Sequence, residues 1–157
     1  MRNFLVAAIA STTLFGVQLL ASEGFMVDKK AFDEGAKLYN QKCASCHITK
    51  YYSLEKLGEN YMNDNKTLKL KAPVLNQLTF RLKQQLGNKS DPEFQFYQIS
   101  DFIKDYAVNP ERSKSLCMEM VLDIFGTMPS MKGKVTENEL EKIAHFMYWH
   151  DPKKNKK

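Results

Sequence analysis

Apolar residues recur every three or four positions through most of the chain, and no segment shows the strict two-residue alternation of a half-buried strand. Phe32, Gly35, Ala36, Tyr39 and Cys43 fall at i, i+3, i+4, i+7 and i+11, which predicts a helix with one continuous buried face, capped by Asp28. Leu75, Leu78, Leu82 and Leu86 predict a second helix, stopped at Gly87. Asp91 and Pro92 supply the cap and first-turn proline of a third, with Phe96, Ile99, Ile103 and Tyr106 on its stripe and an end before Asn109-Pro110. A less periodic helix is expected over 114–125. The last is specified most fully: Thr136 and Glu139 make a capping box, Val135 and Leu140 a hydrophobic staple, and Leu140, Ile143, Ala144, Met147 and Tyr148 the buried stripe before Pro152.

Between these helices, residues 48–71 are polar and irregular. Gly58 and the run Asn63-Asp64-Asn65 read as turn signals, so a long loop with at most one short helix is expected. The first 21 or 22 residues read as an export signal. Arg2 gives the positive start, residues 4–21 carry no charge, and Ala21 and Ser22 offer a cleavage point. The rival reading is a retained anchor, although 18 uncharged residues are near the lower limit for crossing a bilayer. The expected organisation is thus a signal over 1–22, one folded domain over 23–151 and a lysine-rich tail over 152–157, which suits a domain with a single core.

The formal net charge of +5 overstates the basicity of the folded part. Setting aside Arg2 and the tail lysines Lys153, Lys154, Lys156 and Lys157 leaves 18 basic against 18 acidic residues. Nothing in that balance points to nucleic acid, and docking to a partner must depend on local patches. Lys42 and Lys50 are candidates for one such patch.

The pentapeptide Cys43-Ala44-Ser45-Cys46-His47 carries the chemistry. CxxCH lets two thiols add to the two vinyl groups of one haem while the adjacent imidazole reaches the iron. Two other readings of the thiols exist. A thiol–disulfide enzyme sets its CxxC at a helix N-terminus within a βαβ pattern, whereas this motif closes a helix and no βαβ pattern is visible. A zinc site from Cys43, Cys46, Cys117 and a His would need a placement of Cys117 that nothing in the sequence supports.

The residues resemble the class I c-type cytochromes. The resemblance runs through Gly35-Ala36-Lys37-Leu38-Tyr39, the CxxCH, Ala72-Pro73-Val74-Leu75, the stretch 106–110, Phe125-Gly126-Thr127-Met128-Pro129 and the helix over 136–148. It implies an all-α domain around one covalently attached haem c, with an enlarged loop and helix region between the haem motif and the axial Met. It also implies that the first and last helices cross with Gly35 against Phe146, that the Pro73 carbonyl orients the axial His47, and that Met128 is the sixth ligand. Met131, three residues on, is the nearest competitor. Met147 lies on a buried stripe and is expected to be core. By helical geometry His145 points away from the apolar stripe of its helix and is expected at the surface, and His150 lies in a fraying end. Cys117, in the run Leu116-Cys117-Met118, is expected to be a buried thiol behaving as a small hydrophobe.

The function these features imply is that of a periplasmic monohaem cytochrome carrying single electrons between a redox-protein donor and acceptor, not an enzyme. Two alternatives are a cytochrome subunit of a periplasmic oxidoreductase, using residues 50–105 as its interaction surface, and a haem enzyme or sensor with an exchangeable sixth ligand. A membrane is implied only through an uncleaved signal or a partner complex.

Overall fold

Asp28 begins the fold by accepting hydrogen bonds from the amides of Lys30 and Ala31 at 2.8 and 3.1 Å, so that helix α1 runs over Lys29–Lys42. The computed structural model describes residues 25–151; the expected signal, Pro152 and the lysine tail lie outside them. Among the described residues there are six α-helices, one short 3₁₀ turn and no strand. None of these helices is long and apolar enough to cross a membrane.

The last helix, α6 (Glu137–Trp149), starts with the expected capping box. The Thr136 hydroxyl accepts from the Glu139 amide at 3.2 Å, and the Glu139 carboxylate accepts from the Thr136 amide at 2.8 Å. α1 and α6 form the most extensive helix contact in the fold. At their crossing a Cβ added to Gly35 would lie 2.0 Å from the Lys142 carbonyl oxygen and 2.9 Å from the Phe146 Cβ. Only glycine permits that approach. Phe32 and Tyr39 close on the Phe146 ring from the α1 side, each with centroids 5.3 Å away.

α3 (Leu75–Gln85) and α4 (Pro92–Val108) complete the main core. α4 runs antiparallel to α6: the Tyr148 hydroxyl donates to the Pro92 carbonyl at 3.0 Å at one end, and Lys104 lies 3.7 Å from the Glu137 carboxylate at the other. Gly87 has φ +65° and also lies where a Cβ would collide with Gln95. The Gln95 side chain donates to the Lys83 and Leu86 carbonyls, which satisfies acceptors that α3 leaves open at its C-terminus.

Two elements differ from the sequence reading. Gly58 is not a turn residue but sits inside α2 (Leu54–Met62), which Ser53 caps and which turns Leu57, Asn60 and Tyr61 inward. The turn after it is built at Asn63 to Asn65, where Asp64 and Asn65 take positive φ. The weakly periodic helix also starts later than expected: α5 spans Glu119–Phe125, preceded by the 3₁₀ turn Arg112–Lys114. The Leu116 carbonyl accepts from Arg81 Nε at 3.1 Å and from its terminal nitrogen at 2.8 Å, and so is held by a side chain of α3. α2 and α5 share a second, smaller core of Leu57, Tyr61, Val74 and Val121.

Candidate haem-binding cleft

Beyond Lys42 the chain leaves the helix in a tight turn. The Cys43 amide still bonds the Tyr39 carbonyl at 2.8 Å, and the Cys43 carbonyl accepts from the amides of Cys46 and His47. The turn leaves Cys43 half-buried and Cys46 exposed, with no disulfide between them. Burial, with a smaller effect from Cys46, pushes the Cys43 thiol up to about 11, the opposite of the lowered pKa that disulfide chemistry requires.

His47 is held from two directions. The buried Tyr39 hydroxyl donates to the His47 carbonyl at 2.6 Å, and His47 Nδ1 lies 2.7 Å from the Pro73 carbonyl oxygen. A carbonyl only accepts, so Nδ1 carries the ring proton and Nε2 keeps its lone pair. Desolvation holds the imidazole pKa below its ordinary 6.5, outweighing the Pro73 hydrogen bond, and so keeps the ring neutral. The Leu75 amide donates to the Ile48 carbonyl at 3.0 Å, which locks Pro73 and the start of α3 against the residue that follows His47.

These groups line one side of a cavity of about 360 Å³. Leu82, Ile103, Leu140, Ile143 and Met147 supply apolar lining, joined by Phe102 and Tyr106, whose rings stack with centroids 5.3 Å apart. Both Met128 and Met131 reach the lining. The Met131 backbone is tied on both sides: its amide donates to the Ala107 carbonyl at 2.8 Å, and its carbonyl accepts from the Lys134 amide at 2.9 Å. Met128 follows Gly126, which has φ +70°. The Met loop is also tied to α1, because Lys42 Nζ donates to the Lys134 carbonyl at 2.9 Å.

Lys42 is therefore a structural tie as well as a surface charge, while Lys50 lies 5.3 Å from the Tyr52 ring centroid. Cys117 is half-buried and lines the same cavity, with burial raising its pKa. Two histidines depart from expectation. His145 is half-buried, edge-on to Phe96 at 5.7 Å, because Phe96 on α4 covers the side of α6 that periodicity assigned to solvent. His150 is buried at 8% exposure, since its amide continues the helical bonding to Phe146 and its ring packs 5.1 Å from that residue. Neither lines the cavity. Among the described residues no three His, Cys, Asp or Glu side chains converge to hold a metal ion, which disfavours the zinc alternative.

Tyr39 as a donor to His47 and Arg81 as the clamp on Leu116 were not identified from sequence. The only trace of the first is a tyrosine one helical turn before Cys43 on the buried stripe. Two unpaired thiols, a neutral imidazole with Nε2 available, thioethers and an apolar cavity fit a covalently attached haem.

A model of the family described as cytochrome c oxidase, cbb3-type, subunit III matches residues 30–147. A protein of Aquifex aeolicus (strain VF5), described as uncharacterized, is 32% identical over 131 residues, covering 82% of this chain and 81% of its own length. No solved structure matches the chain. The family match encloses the haem motif, the walls of the cleft and the crossing of α1 with α6, and the chain belongs to this cbb3-type family of c-type cytochromes.

Proposed function

We propose that the protein is an exported monohaem cytochrome that passes single electrons between redox proteins, in which Cys43 and Cys46 would attach the haem and His47 and Met128 would ligate its iron. The observation that carries this reading is the cleft itself, in which the CxxCH thiols, a neutral imidazole and methionine thioethers surround one apolar cavity. When bound, haem supplies reversible one-electron chemistry at its iron. The protein's own residues hold and tune it. Pro73 fixes the tautomer and orientation of the His47 ring, and Tyr39 fixes the backbone of the same residue. Leu82, Ile103, Leu140 and Ile143 exclude water, which limits reorganisation when charge changes inside the cleft. Met131, tied through its backbone to α4, shapes the loop that presents Met128.

A second reading, a cytochrome subunit attached to an oxidoreductase, is favoured by one observation beside the family's description as an oxidase subunit. Five of the nine exposed large apolar residues among those described, namely Leu54, Met62, Phe80, Phe94 and Tyr97, fall within the enlarged region 50–105. Gel filtration of the native extract with detection at the haem absorbance separates the readings. A lone carrier elutes at the size of a monomer, and a subunit elutes with its complex.

A further inference from the structure

α3 has two working faces. Leu78, Arg81 and Leu82 turn to the haem cleft, whereas Asn76, Thr79, Phe80 and Lys83, at i, i+3, i+4 and i+7, turn to a separate groove of about 480 Å³ on its other side. That groove also takes in Tyr51 ahead of α2, Leu54 at its start, Lys89 after α3, and His150 at the end of α6. Two of its residues are large exposed apolar side chains, Leu54 at 45% and Phe80 at 44%. None of the described residues lining it is a carboxylate. Lys83 is held over the Tyr148 ring, 4.3 Å from its centroid, so its charge is fixed at the groove instead of swinging in solvent. Burial lowers the pKa of both Lys83 and His150 against the opposing pull of Asp151, so the positive charge of the groove is carried by Lys83 and Lys89, with Asp151 offsetting part of the former.

We infer that this groove is a docking site for an acidic segment of a redox partner, its apolar side chains seated against Leu54 and Phe80 and its carboxylates facing Lys83 and Lys89. The inference rests on the cytochrome reading above and adds a location to it. Charge complementarity joined to an apolar anchor favours this occupant, the combination that gives a docking site both steering and grip. Its location suits electron transfer. The groove and the cleft lie on opposite sides of one helix, about 10 Å in diameter, and the helix begins at the carbonyl of Pro73 that orients His47. A partner bound here leaves the mouth of the cleft, with exposed Cys46 and Pro129, open to a second protein.

The test uses ¹⁵N-labelled full-length holoprotein, first checked for its haem absorbance, and a probe peptide of glutamates around a central Phe-Leu pair. Titration at about 0.01 M salt should shift the amides of Leu54, Phe80, Lys83 and Lys89, leave those of Cys46 and Lys134 unmoved, and fade by about 0.15 M. The Lys83→Glu/Lys89→Glu double variant and, separately, Phe80→Ser should each weaken binding about tenfold or more with the haem spectrum unchanged. Shifts centred on the cleft mouth, or no shifts, overturn the groove assignment while the haem spectrum still upholds the cytochrome reading. Absence of a haem spectrum overturns both. A final arm replaces the peptide with phosphatidylglycerol vesicles. Stronger binding to vesicles than to peptide, lost in the same variants, assigns the groove to a membrane surface and overturns the partner.

Discussion

Replacing Gly35 with alanine tests whether the α1–α6 crossing sets the geometry of the cleft. The added Cβ would lie 2.0 Å from the Lys142 carbonyl oxygen, 2.8 Å from its carbon and 2.9 Å from the Phe146 Cβ. Two of those three atoms are backbone and cannot rotate away, so the helices must separate. Overpacking a well-filled contact costs about 1–3 kcal/mol, and the upper end applies when the obstacle is main chain. Against this, alanine gains about 1 kcal/mol of helix propensity over glycine. The net expectation is a loss of about 2 kcal/mol, a fall of about 7 °C in Tm at about 2.1 cal/mol/K per residue for a domain this size. Gly58→Ala is the matched control: it is also a helical glycine, but nothing lies within 4 Å of an added Cβ. It gains the propensity alone and should stabilise by about 0.5–1 kcal/mol. Thermal unfolding of both ferric holoproteins followed by far-UV circular dichroism measures the pair. A Gly35→Ala protein that melts at or above the wild type would show that the α1–α6 crossing tolerates the added carbon.

Met128→His should lower the reduction potential by well over the roughly 59 mV that a tenfold change in a one-electron couple represents, while Met131→Leu barely moves it, as redox titration will read. If the ferric charge-transfer band of thioether ligation survives Met128→Leu and vanishes in Met131→Leu, the ligand is Met131. Tyr39→Phe removes the donor to the His47 carbonyl and should cost about 1 kcal/mol in urea unfolding with the haem still attached. Desolvation holds the pKa values of His145 and His150 below the ordinary 6.5. The unfolded chain therefore takes up protons near pH 6.5 that the folded chain refuses until lower pH, and their contribution is complete above 6.5 and declines below it. Urea midpoints between about pH 5 and 7.5 should fall on the acid side, and the His145→Phe/His150→Phe variant should flatten that slope.

Much of this architecture was readable because the signals are local. Asp28, Thr136 with Glu139, Asp91 with Pro92, and Gly87 act through bonds or φ angles within a few residues, so sequence spacing alone locates the ends they set. The sequence offers at most one short helix where α2 forms, because the inner face of α2 includes a polar residue. Asn60 accepts from the Leu68 amide and donates to Asn65, which in turn bonds both backbone groups of Leu70, so side-chain amides organise this region where periodicity would otherwise show. Ahead of α5 the Leu116 carbonyl is held by Arg81, 35 positions away, and no local pattern records such a clamp. The misreading of His145 has the same origin: periodicity describes one helix face against one neighbour, and α4 gives α6 a second. Within the cleft, the motif supplied His47 and both thiols, whereas the hydrogen bond from Tyr39 required the turn after α1 to be seen.

This cleft should bind one haem, held through Cys43 and Cys46. Intact-mass spectrometry of the protein made in a host competent in cytochrome c maturation, under denaturing and reducing conditions, tests it directly. The expected result is the polypeptide mass plus one haem, lost from the stable product in Cys43→Ser and Cys46→Ser. A mass equal to the bare polypeptide would contradict it.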